Sequence, residues 1–420
     1  MSARHWSPLV GVLFALWLCG CDGQGSDPVR ITGWISTPIE ETLMRSLIGA
    51  LDQRHPELKV HYEPITANYM DKLLLMLGTR TAPDIIMLEA FWAPSLVAYD
   101  VLLPLDQFVV QDPNFAIEDF EPALLDAFRF NSKLYGLPKD YSTLVLYYNP
   151  EMLAEVGLED PPRTWDEFAS SARRLTRDTD GDGVIDQYGY CHAEALEYSL
   201  PFVWQNRGEY FDAQGEVAFT DPAFVEALAF LQRLRAQGIA VLPTDVGAAW
   251  NMDAFGRRRV AMAISGLWAV NFMKDTYAQV PYRLAPLPIG KQPASVAFVV
   301  GYAIPKHTRD PEQAWQVLQY LTGREGQRLW AQADVGLPPR RSVARALGVE
   351  HDPLKSPFVQ SLRHARPWQL GVDLRLLDET QTALQAIFLT NAPIEPTLER
   401  LRRRLEDGRE GRRAGRPSFE

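Results

Sequence analysis

The chain has 420 residues, of which 46% are hydrophobic and 23% are charged, and its formal net charge is −11. This length and composition exclude a wholly disordered chain and favour a globular protein of two or three domains. The acidic balance argues against nucleic acid as a partner, because phosphate backbones attract basic surfaces.

The first segment, 1–20, has the pattern of a lipoprotein signal peptide. A short basic start, MSARHW, precedes the apolar run PLVGVLFALWL, which is too short to span a membrane comfortably. The run ends in LCGC, and a polar, glycine-rich tether over 21–28 follows. This resembles a bacterial lipobox, in which cleavage leaves Cys21 as the lipidated N-terminus. An ordinary signal peptide that contains cysteines is the alternative. Either way, Cys191 has no obvious disulfide partner, so stability must come from the core.

Residues 29–92 alternate between strand and helix patterns. The stretches VRITGWI, LKVHYEPI and PDIIMLEA are predicted strands. A capping box and a proline predict a helix from Thr37-Pro38, and a second helix is predicted from about Tyr69. Strands that alternate with helices predict a doubly wound α/β sheet.

The same alternation returns in the second half of the chain. Strands are predicted within LYGLPKDYSTLVLYYN, RVAMAISGLW and SVAFVVGYAIPK, and helices begin at Thr164, Asp221-Pro222 and Asp310-Pro311. From about residue 340 the pattern is mainly helical. The arginine-rich segment 401–420 is predicted to be a basic, disordered tail, with weak attraction to anionic lipid as the alternative.

The stretch DTDGDGVIDQYG, residues 178–189, matches the start of an EF-hand calcium loop. The candidate ligands at loop positions one, three, five, seven and nine are Asp178, Asp180, Asp182, Val184 and Asp186. The twelfth position, where an EF-hand places a bidentate glutamate, is Gly189. The loop therefore predicts a structural calcium site that needs a further ligand such as Glu194. The alternative is a turn whose aspartates accept hydrogen bonds from their own backbone.

Ligands of doubly wound sheets bind beyond the carboxyl ends of the strands. The residues that follow the predicted strands are aromatic rings, carboxylates, hydroxyls and glycines. Such a set suits a neutral, polyhydroxylated ligand better than a phosphate or a planar cofactor. No Walker A, dinucleotide-binding, HExxH or GxSxG motif occurs, and the seven histidines show no metal-ligand spacing. No cofactor is required on this interpretation.

Four motifs in a specific order resemble the extracellular solute-binding proteins, family 1, over nearly the whole mature chain. They are KLYGLPKDYSTLVLYYNPEML, PPRTWDEF, GRRRVAMAISGLW, and VVGYAIPK followed by DPEQAWQVLQYLTGREGQRLWAQ. The resemblance implies a two-lobe periplasmic-binding-protein fold, each lobe a doubly wound sheet, with crossings near TLVL, APLP and GREGQ. The implied N-lobe comprises 29–142 and 287–325, and the implied C-lobe comprises 147–284 and 330–400.

The resemblance also implies a function. A carbohydrate, expected to be a di- or oligosaccharide, would be captured by lobe closure and delivered to an ABC permease, without catalysis. The protein is expected to be a monomer in the cell envelope, anchored to the membrane by its lipid and facing the periplasm or the exterior. The implied ligand contacts are Trp34, Ser36, Glu40, Glu89, Trp92, Asp140, Tyr141, Trp268, Tyr302 and Arg340.

Two features qualify the resemblance. Many family members have two glycines where this chain has Val300-Gly301, and some hold calcium in a loop like 178–189. Two alternatives stay open, because paired carboxylates need not be close in sequence and aromatic rings serve several ligands. One is an exported glycoside hydrolase, and the other is the same fold with a non-sugar solute such as a polyamine or a metal complex.

Overall fold

The computed structural model describes residues 27–35, 38–332, 334–369, 371 and 375–414. The predicted signal peptide, the lipidation site Cys21, and the residues Ser36 and Thr37 lie outside this part of the chain. The described strands are β1 (Val29–Trp34), β2 (Val60–Ile65), β3 (Ile85–Glu89), β4 (Arg129–Phe130), β5 (Lys133–Leu134), β6 (Leu137–Thr143), β7 (Val145–Tyr148), β8 (Tyr188–Cys191), β9 (Ala240–Val241), β10 (Val260–Ser265), β11 (Arg283–Ala285), β12 (Ser295–Ala303) and β13 (Ala365–Pro367).

Helices cover both sheets and connect most of the strands. The described α-helices are α1 (Pro38–Arg54), α2 (Tyr69–Gly78), α3 (Ala93–Ala98), α4 (Asp106–Gln111), α5 (Pro122–Asp126), α6 (Pro150–Glu155), α7 (Trp165–Leu175), α8 (Leu196–Gln205), α9 (Pro222–Ala236), α10 (Asn251–Gly256), α11 (Trp268–Thr276), α12 (Pro311–Thr322), α13 (Arg324–Ala331), α14 (Arg341–Ala346), α15 (Ser356–Leu362), α16 (Arg375–Leu389) and α17 (Ile394–Ala414). Among the described residues, no helix has the length and apolar character needed to cross a bilayer.

Two mixed sheets form the centres of two lobes. The first has the order β13-β12-β3-β1-β2, with β6 also paired to β12, and the second has the order β11-β7-β10-β8-β9. Strands β1, β2 and β3 are parallel, whereas β12 runs antiparallel to β3 and β6. The predicted two-lobe α/β fold is confirmed. Its sheets are mixed in direction because β12 runs antiparallel to β3 and β6, and β7 runs antiparallel to β10 and β11.

Local sequence explains the elements that position the site. Strand β3 is buried over Ile85–Leu88, as expected of a strand covered on both faces. Helix α7 begins where Thr164 Oγ1 accepts a hydrogen bond from the Glu167 amide at 3.2 Å, and Glu167 in turn accepts one from the Arg163 amide at 2.7 Å. The predicted helix starts at Thr164, Pro222 and Pro311 are confirmed.

The chain crosses between the lobes where strands of the two sheets are consecutive. The first crossing is at Leu144, between β6 and β7, and the second follows β11 and leads into β12. A pair of hydrogen bonds joins these two crossings, because Ser295 Oγ donates to the Leu144 carbonyl at 2.9 Å and accepts from the Leu144 amide at 3.2 Å. These positions agree with the predicted crossings at TLVL and APLP.

The third crossing lies later than predicted. Helix α13, which contains most of GREGQ, packs against α1, α12 and β6 of the first lobe, so the chain does not cross there. Strand β13 then pairs with β12 in the first sheet, and the following helices α16 and α17 pack on α8 and α9 of the second lobe. The assignment of all of 330–400 to the C-lobe is therefore corrected, because β13 belongs to the first sheet.

The segment 401–414 also differs from its predicted disorder. Helix α17 continues to Ala414, and Leu401 and Leu405 are buried in the core of the second lobe. These leucines lie one helical turn apart, so they share a face that packs. The arginines between them pair with Glu399 and Glu379 instead. The prediction of disorder is wrong for 401–414, and 415–420 lie outside the described residues.

Candidate ligand-binding site

A cavity of about 390 Å³ is lined by side chains from both lobes. Its lining residues are Trp34, Glu40, Glu89, Lys139, Asp140, Tyr141, Ser142, Trp268, Asn271, Phe298, Val300 and Val335. Trp268 and Asn271 belong to α11, which follows β10 of the second sheet, whereas most of the others belong to the first lobe. A molecule in this cavity, which we call the cleft, therefore contacts both lobes.

Strand ends bring the lining residues of the first lobe together. Trp34 ends β1 and Glu89 ends β3, and these strands are parallel, so both residues emerge at the same edge of the sheet. On β12, Phe298 and Val300 are half-buried while Val299 between them is buried. The two-residue period of a strand thus places Phe298 and Val300 on the face that borders the cleft.

The second lobe positions Trp268 through a tight local contact. A Cβ atom at Gly266 would lie only 2.2 Å from the Trp268 ring, so the ring lies directly over this glycine. The Tyr147 hydroxyl donates to the Gly266 carbonyl at 2.8 Å. The Leu267 amide donates to Ser142 Oγ of the first lobe at 2.9 Å. The turn before α11 is therefore held from both lobes, which orients Trp268.

The carboxylate of Asp140 has two polar partners, and both contact its Oδ2 atom. Its Oδ2 accepts a hydrogen bond from Trp330 Nε1 at 2.7 Å and forms an ion pair with Lys139 Nζ at 2.8 Å. Lys139 Nζ also lies 3.7 Å from the centre of the Trp330 ring, a cation–π contact. Gly336 packs closely against Asp140, because a Cβ atom at Gly336 would lie 2.6 Å from the Asp140 Cβ. The charges of Asp140 and Lys139 therefore compensate each other at the cleft wall.

Glu89 has the opposite character. Within the described residues, its carboxylate has no hydrogen-bond or ion-pair partner. Burial, followed by the negative charges of Glu197 and Asp140, raises the pKa of Glu89 to about 7, and Lys139 acts in the other direction. Burial also raises the pKa of Glu197, which lies in the first turn of α8. The charge of Glu197, which lies on α8 of the second lobe, thus acts on Glu89 at the end of β3 in the first lobe.

Aromatic rings form a connected wall beside the cleft. The rings of Trp268 and Phe298 meet edge to face at 5.1 Å, and Phe298 lies 6.4 Å from Trp368. Trp368 stacks on Phe91 at 4.7 Å, and Phe91 contacts Trp92. Ring faces at such a wall suit the apolar C–H faces of a sugar or another flat apolar group.

A family model described as bacterial extracellular solute-binding protein matches residues 36–328. The chain belongs to this family. The solute-binding protein is 22% identical over 343 residues to the arabinooligosaccharide-binding protein of Bacillus subtilis strain 168, and the match covers 76% of each chain.

Solved structures agree with the architecture of this solute-binding protein. An ABC substrate-binding protein from Listeria monocytogenes in complex with cycloalternan has a TM-score of 0.80 at 20% identity, covering 91% of this chain and 99% of that one. The sugar-binding protein MalE from Xanthomonas citri has a TM-score of 0.80 at 23% identity, covering 92% and 98%. These similarities establish the two-lobe periplasmic-binding-protein fold.

The structure brings six of the ten predicted ligand contacts to the cleft. They are Trp34, Glu40, Glu89, Asp140, Tyr141 and Trp268. Ser36 lies outside the described residues, and Trp92 packs on Phe91 without lining the cavity. The roles of these side chains as ligand contacts stay predictions.

Tyr302 and Arg340 lie away from the cleft. Tyr302 is buried within the first sheet, opposite Met87 and Leu137. Arg340 is 1% exposed, and its guanidinium donates to the carbonyls of Phe115, Ala116 and Thr322. Every cationic donor group of Arg340 is therefore committed to structure, which the resemblance that implied a ligand contact at Arg340 does not reveal.

Sequence reasoning missed several lining residues. They are Lys139, Ser142, Asn271, Phe298, Val300 and Val335. Some carried a usable signal, because Lys139 and Ser142 flank the predicted Asp140-Tyr141 pair and Asn271 follows Trp268 by one helical turn. Phe298 and Val300 share one face of a predicted strand. Val335 had no such signal, since only the tertiary fold brings it near.

This chain has Val300-Gly301 where many family members have two glycines, and the local packing differs at the two positions. A Cβ atom at Gly301 would lie 2.7 Å from the Leu137 carbonyl and 2.6 Å from the Phe128 ring, so this position needs glycine. The pairing of β12 with β6 shifts register between Val300 and Gly301. The side chain of Val300 then faces the cleft, where it takes space that a glycine would leave open.

The aspartate loop brings three carboxylates together. Oxygen atoms of Asp178, Asp180 and Asp186 come within 4.8 Å of one another, a group that does not include Asp182 or Glu194. The same side chains accept backbone hydrogen bonds, including those from Gly181 and Gly183 to Asp178, which lower the pKa of Asp178.

Gly189 explains why this loop has no glutamate at its twelfth position. A Cβ atom at Gly189 would lie 2.2 Å from the Ala172 carbonyl of α7, so no side chain fits there. The Gly189 amide donates instead to Thr176 Oγ1 at 3.0 Å. The close contact between β8 and α7 therefore excludes the bidentate ligand that an EF-hand uses.

Proposed function

We propose that this solute-binding protein captures a carbohydrate, a di- or oligosaccharide, in the cleft and delivers it to the permease of an ABC importer. The observation that carries the proposal is the make-up of the cleft, where carboxylate and amide groups from two lobes surround aromatic faces. Such groups accept and donate hydrogen bonds to sugar hydroxyls while rings cover the C–H faces. The names of the arabinooligosaccharide-binding relative and the cycloalternan complex support a sugar of more than one unit.

Capture depends on a difference in ligand affinity between an open and a closed form of the protein. The lining residues of α11 and those of the first lobe are joined only by the crossing segments and contacts such as that of Leu267 with Ser142. A sugar that touches both sets stabilises the closed form over the open one, which shifts the equilibrium toward closure. A sugar bound to one lobe alone would bind both states equally and shift nothing.

The envelope location belongs to the same proposal. A lipid on Cys21 holds the mature protein beside its permease, which raises the local concentration of loaded protein. The tether 21–28 immediately precedes β1, which begins at Val29, so Cys21 is close in sequence to the first lobe. Lipidation is tested by mass spectrometry of the membrane fraction, where Cys21→Ala should leave the protein unprocessed and without lipid.

A structural calcium ion in the aspartate loop is the second part of the proposal. Carboxylate oxygens are the ligands that calcium prefers, and Asp178, Asp180 and Asp186 already meet within 4.8 Å. The Val184 carbonyl and water would complete the coordination in place of the excluded glutamate. When bound, the ion braces the loop between α7 and β8, far in sequence from the cleft residues.

A thermal-shift screen of the purified protein, expressed without residues 1–20, tests the main proposal. Mono-, di- and oligosaccharides are compared with and without calcium, and a ligand that binds only the folded state raises the melting temperature. We expect a rise with one class of di- or oligosaccharide and no turnover of that sugar. Hydrolysis of the sugar would support an exported glycoside hydrolase, and a response only to non-sugar solutes would overturn the carbohydrate assignment.

A further inference from the structure

The two oxygens of the Asp140 carboxylate differ in their contacts. Oδ2 accepts a hydrogen bond from the Trp330 indole N–H at 2.7 Å and lies 2.8 Å from Lys139 Nζ. Among the residues that the structure describes, Oδ1 has no hydrogen-bond partner, and it is not closed off from solvent. Because Asp140 lines the cleft, Oδ1 is the oxygen that remains available to a bound molecule.

Trp330 reaches this carboxylate from a distant part of the chain. It lies in α13, 190 residues after Asp140, and its exposed fraction is 4%. Helix α13 packs on β6, the strand that carries Lys139 and Asp140, so the ring is held behind the cleft wall. Trp330 does not line the cleft itself. It therefore acts on a ligand only through the residues that it contacts.

The Trp330 ring also contacts Lys139. Lys139 Nζ lies 3.7 Å from the centre of the ring, which is a cation–π contact. The side chains of Lys139 and Asp140 are only 5% and 11% exposed, and a buried ion pair of this kind is stable only where further contacts satisfy both charges. Because Lys139 compensates the charge of Asp140, the second oxygen of that carboxylate can border a water-poor cleft.

A carboxylate without such contacts would not hold one oxygen toward the cleft. Its Cβ–Cγ torsion has a broad, two-fold profile, so its two oxygens exchange places easily. Trp330 and Lys139 both contact Oδ2, which opposes this exchange. A Cβ atom at Gly336 would lie 2.7 Å from the Asp140 Cγ, so the backbone there also restricts the side chain. An acceptor that is already fixed loses less conformational entropy when a ligand binds.

We propose that Trp330 is a positioning residue for ligand binding, which anchors Oδ2 of Asp140 so that Oδ1 alone accepts a hydrogen bond from a sugar hydroxyl. This inference rests on the proposed function and specifies how the cleft orients one of its acceptors. The hydrogen bond is charge-assisted and engages one hydroxyl group, whereas an unanchored carboxylate can bind two neighbouring hydroxyls with its two oxygens. Trp330 thus contributes to affinity and specificity without contacting the sugar.

A double-mutant cycle tests the inference, because it separates a residue that acts through Asp140 from one that only supports the fold. The purified protein is titrated calorimetrically with maltotriose, cellotriose, mannotriose and arabinotriose, and the tightest binder is used for every variant. Trp330→Phe keeps an aromatic ring but removes the N–H, so it should weaken binding about tenfold. In an Asp140→Ala background, the same substitution should change the affinity by less than about twofold.

A second variant and a control complete the set. The methyl group added by Gly336→Ala displaces the Asp140 carboxylate while Trp330 stays intact, so it should weaken binding in the parent and have little effect beside Asp140→Ala. Trp315→Phe should leave the affinity unchanged, because Trp315 is a ring of the same lobe, 5% exposed, that stacks on Phe108 outside the cleft. Urea denaturation checks that each variant is folded.

The outcomes separate this inference from the proposed function. If Trp330→Phe weakens binding equally in both backgrounds, or does not weaken it in the parent, the positioning role is overturned and carbohydrate capture stands. If Asp140→Ala or Gly336→Ala binds the sugar as tightly as the parent, the role of Oδ1 as a fixed acceptor is overturned, and capture again stands. An absence of binding by every sugar in this panel and in the thermal-shift screen overturns the proposed function and the inference together.

Discussion

The cleft and the surroundings of Arg340 both contain charged side chains beside aromatic rings, but they differ in whether those charges have partners within the protein. At Arg340, a cation lies between the rings of Phe115 and Phe120, at 4.6 and 4.1 Å from their centres, and its donors are all taken by backbone carbonyls and by Asp119. In the cleft, rings and charges also meet, yet Glu89 has no partner within the described chain. Whether polar groups are satisfied by the protein itself separates a structural cluster from a binding site.

Removing the Arg340 side chain should give the largest effect on stability. Arg340→Met leaves the carbonyls of Phe115, Ala116 and Thr322 buried without a donor, so the free energy of unfolding should fall by about 3–5 kcal/mol. Urea denaturation measures this change. The neighbouring Arg341→Met is the control, since Arg341 is exposed, and it should cost far less. Loss of sugar affinity in folded Arg340→Met would instead place Arg340 in the binding machinery.

Glu89→Gln should change how stability depends on pH. Burial and nearby acids raise the pKa of Glu89 to about 7, whereas the unfolded chain ionises near its ordinary value of about 4.3. The folded state therefore holds an extra proton between these values, and this carboxyl lowers stability progressively as pH rises from 4 to 7. The variant should match the parent at pH 4 and exceed it by on the order of 3 kcal/mol at pH 8. Parallel stability curves for both proteins would contradict a raised pKa of Glu89.

Trp268→Ala should weaken sugar binding at least tenfold, which is about 1.4 kcal/mol, because the ring forms part of the cleft wall. Trp250→Ala is a matched control, since Trp250 is also half-buried and packs edge-on against Phe272 at 4.7 Å outside the cleft. Calorimetric titration with the sugar found in the screen measures both. Equal affinities of the two variants would remove Trp268 from the site.

The smallest effect is expected in the aspartate loop. Calcium should raise the melting temperature of the parent protein, and Asp178→Asn should abolish that rise, because Asp178 belongs to the carboxylate group that meets there. Asp212→Asn is the control, since Asp212 is an exposed aspartate that accepts backbone hydrogen bonds in another turn. If calcium does not change the melting temperature of the parent protein, these aspartates serve only to accept hydrogen bonds within the turn.

Several features of the molecule follow from local sequence alone. The predicted strands at Val29–Trp34, Ile85–Glu89 and Ser295–Ala303 and the helices from Tyr69 and Trp165 are present, because their apolar period and capping residues act over a few neighbours. The motif order indicated the two-lobe fold in the same way. Residues at strand ends, such as Trp34 and Glu89, were therefore placed correctly at the cleft.

The tertiary structure decided what those residues face. Arg340 and Tyr302 were predicted as site residues, but the fold buries both of them away from the cleft. The third crossing lies after β13 and not at GREGQ, because β13 pairs with a strand some 70 residues earlier in the chain. Leu401 and Leu405 are core residues because α17 packs on the second lobe. The sequence by itself determined the elements and their order through short-range contacts. Burial and charge pairing depend on long-range contacts, which only the folded chain defines.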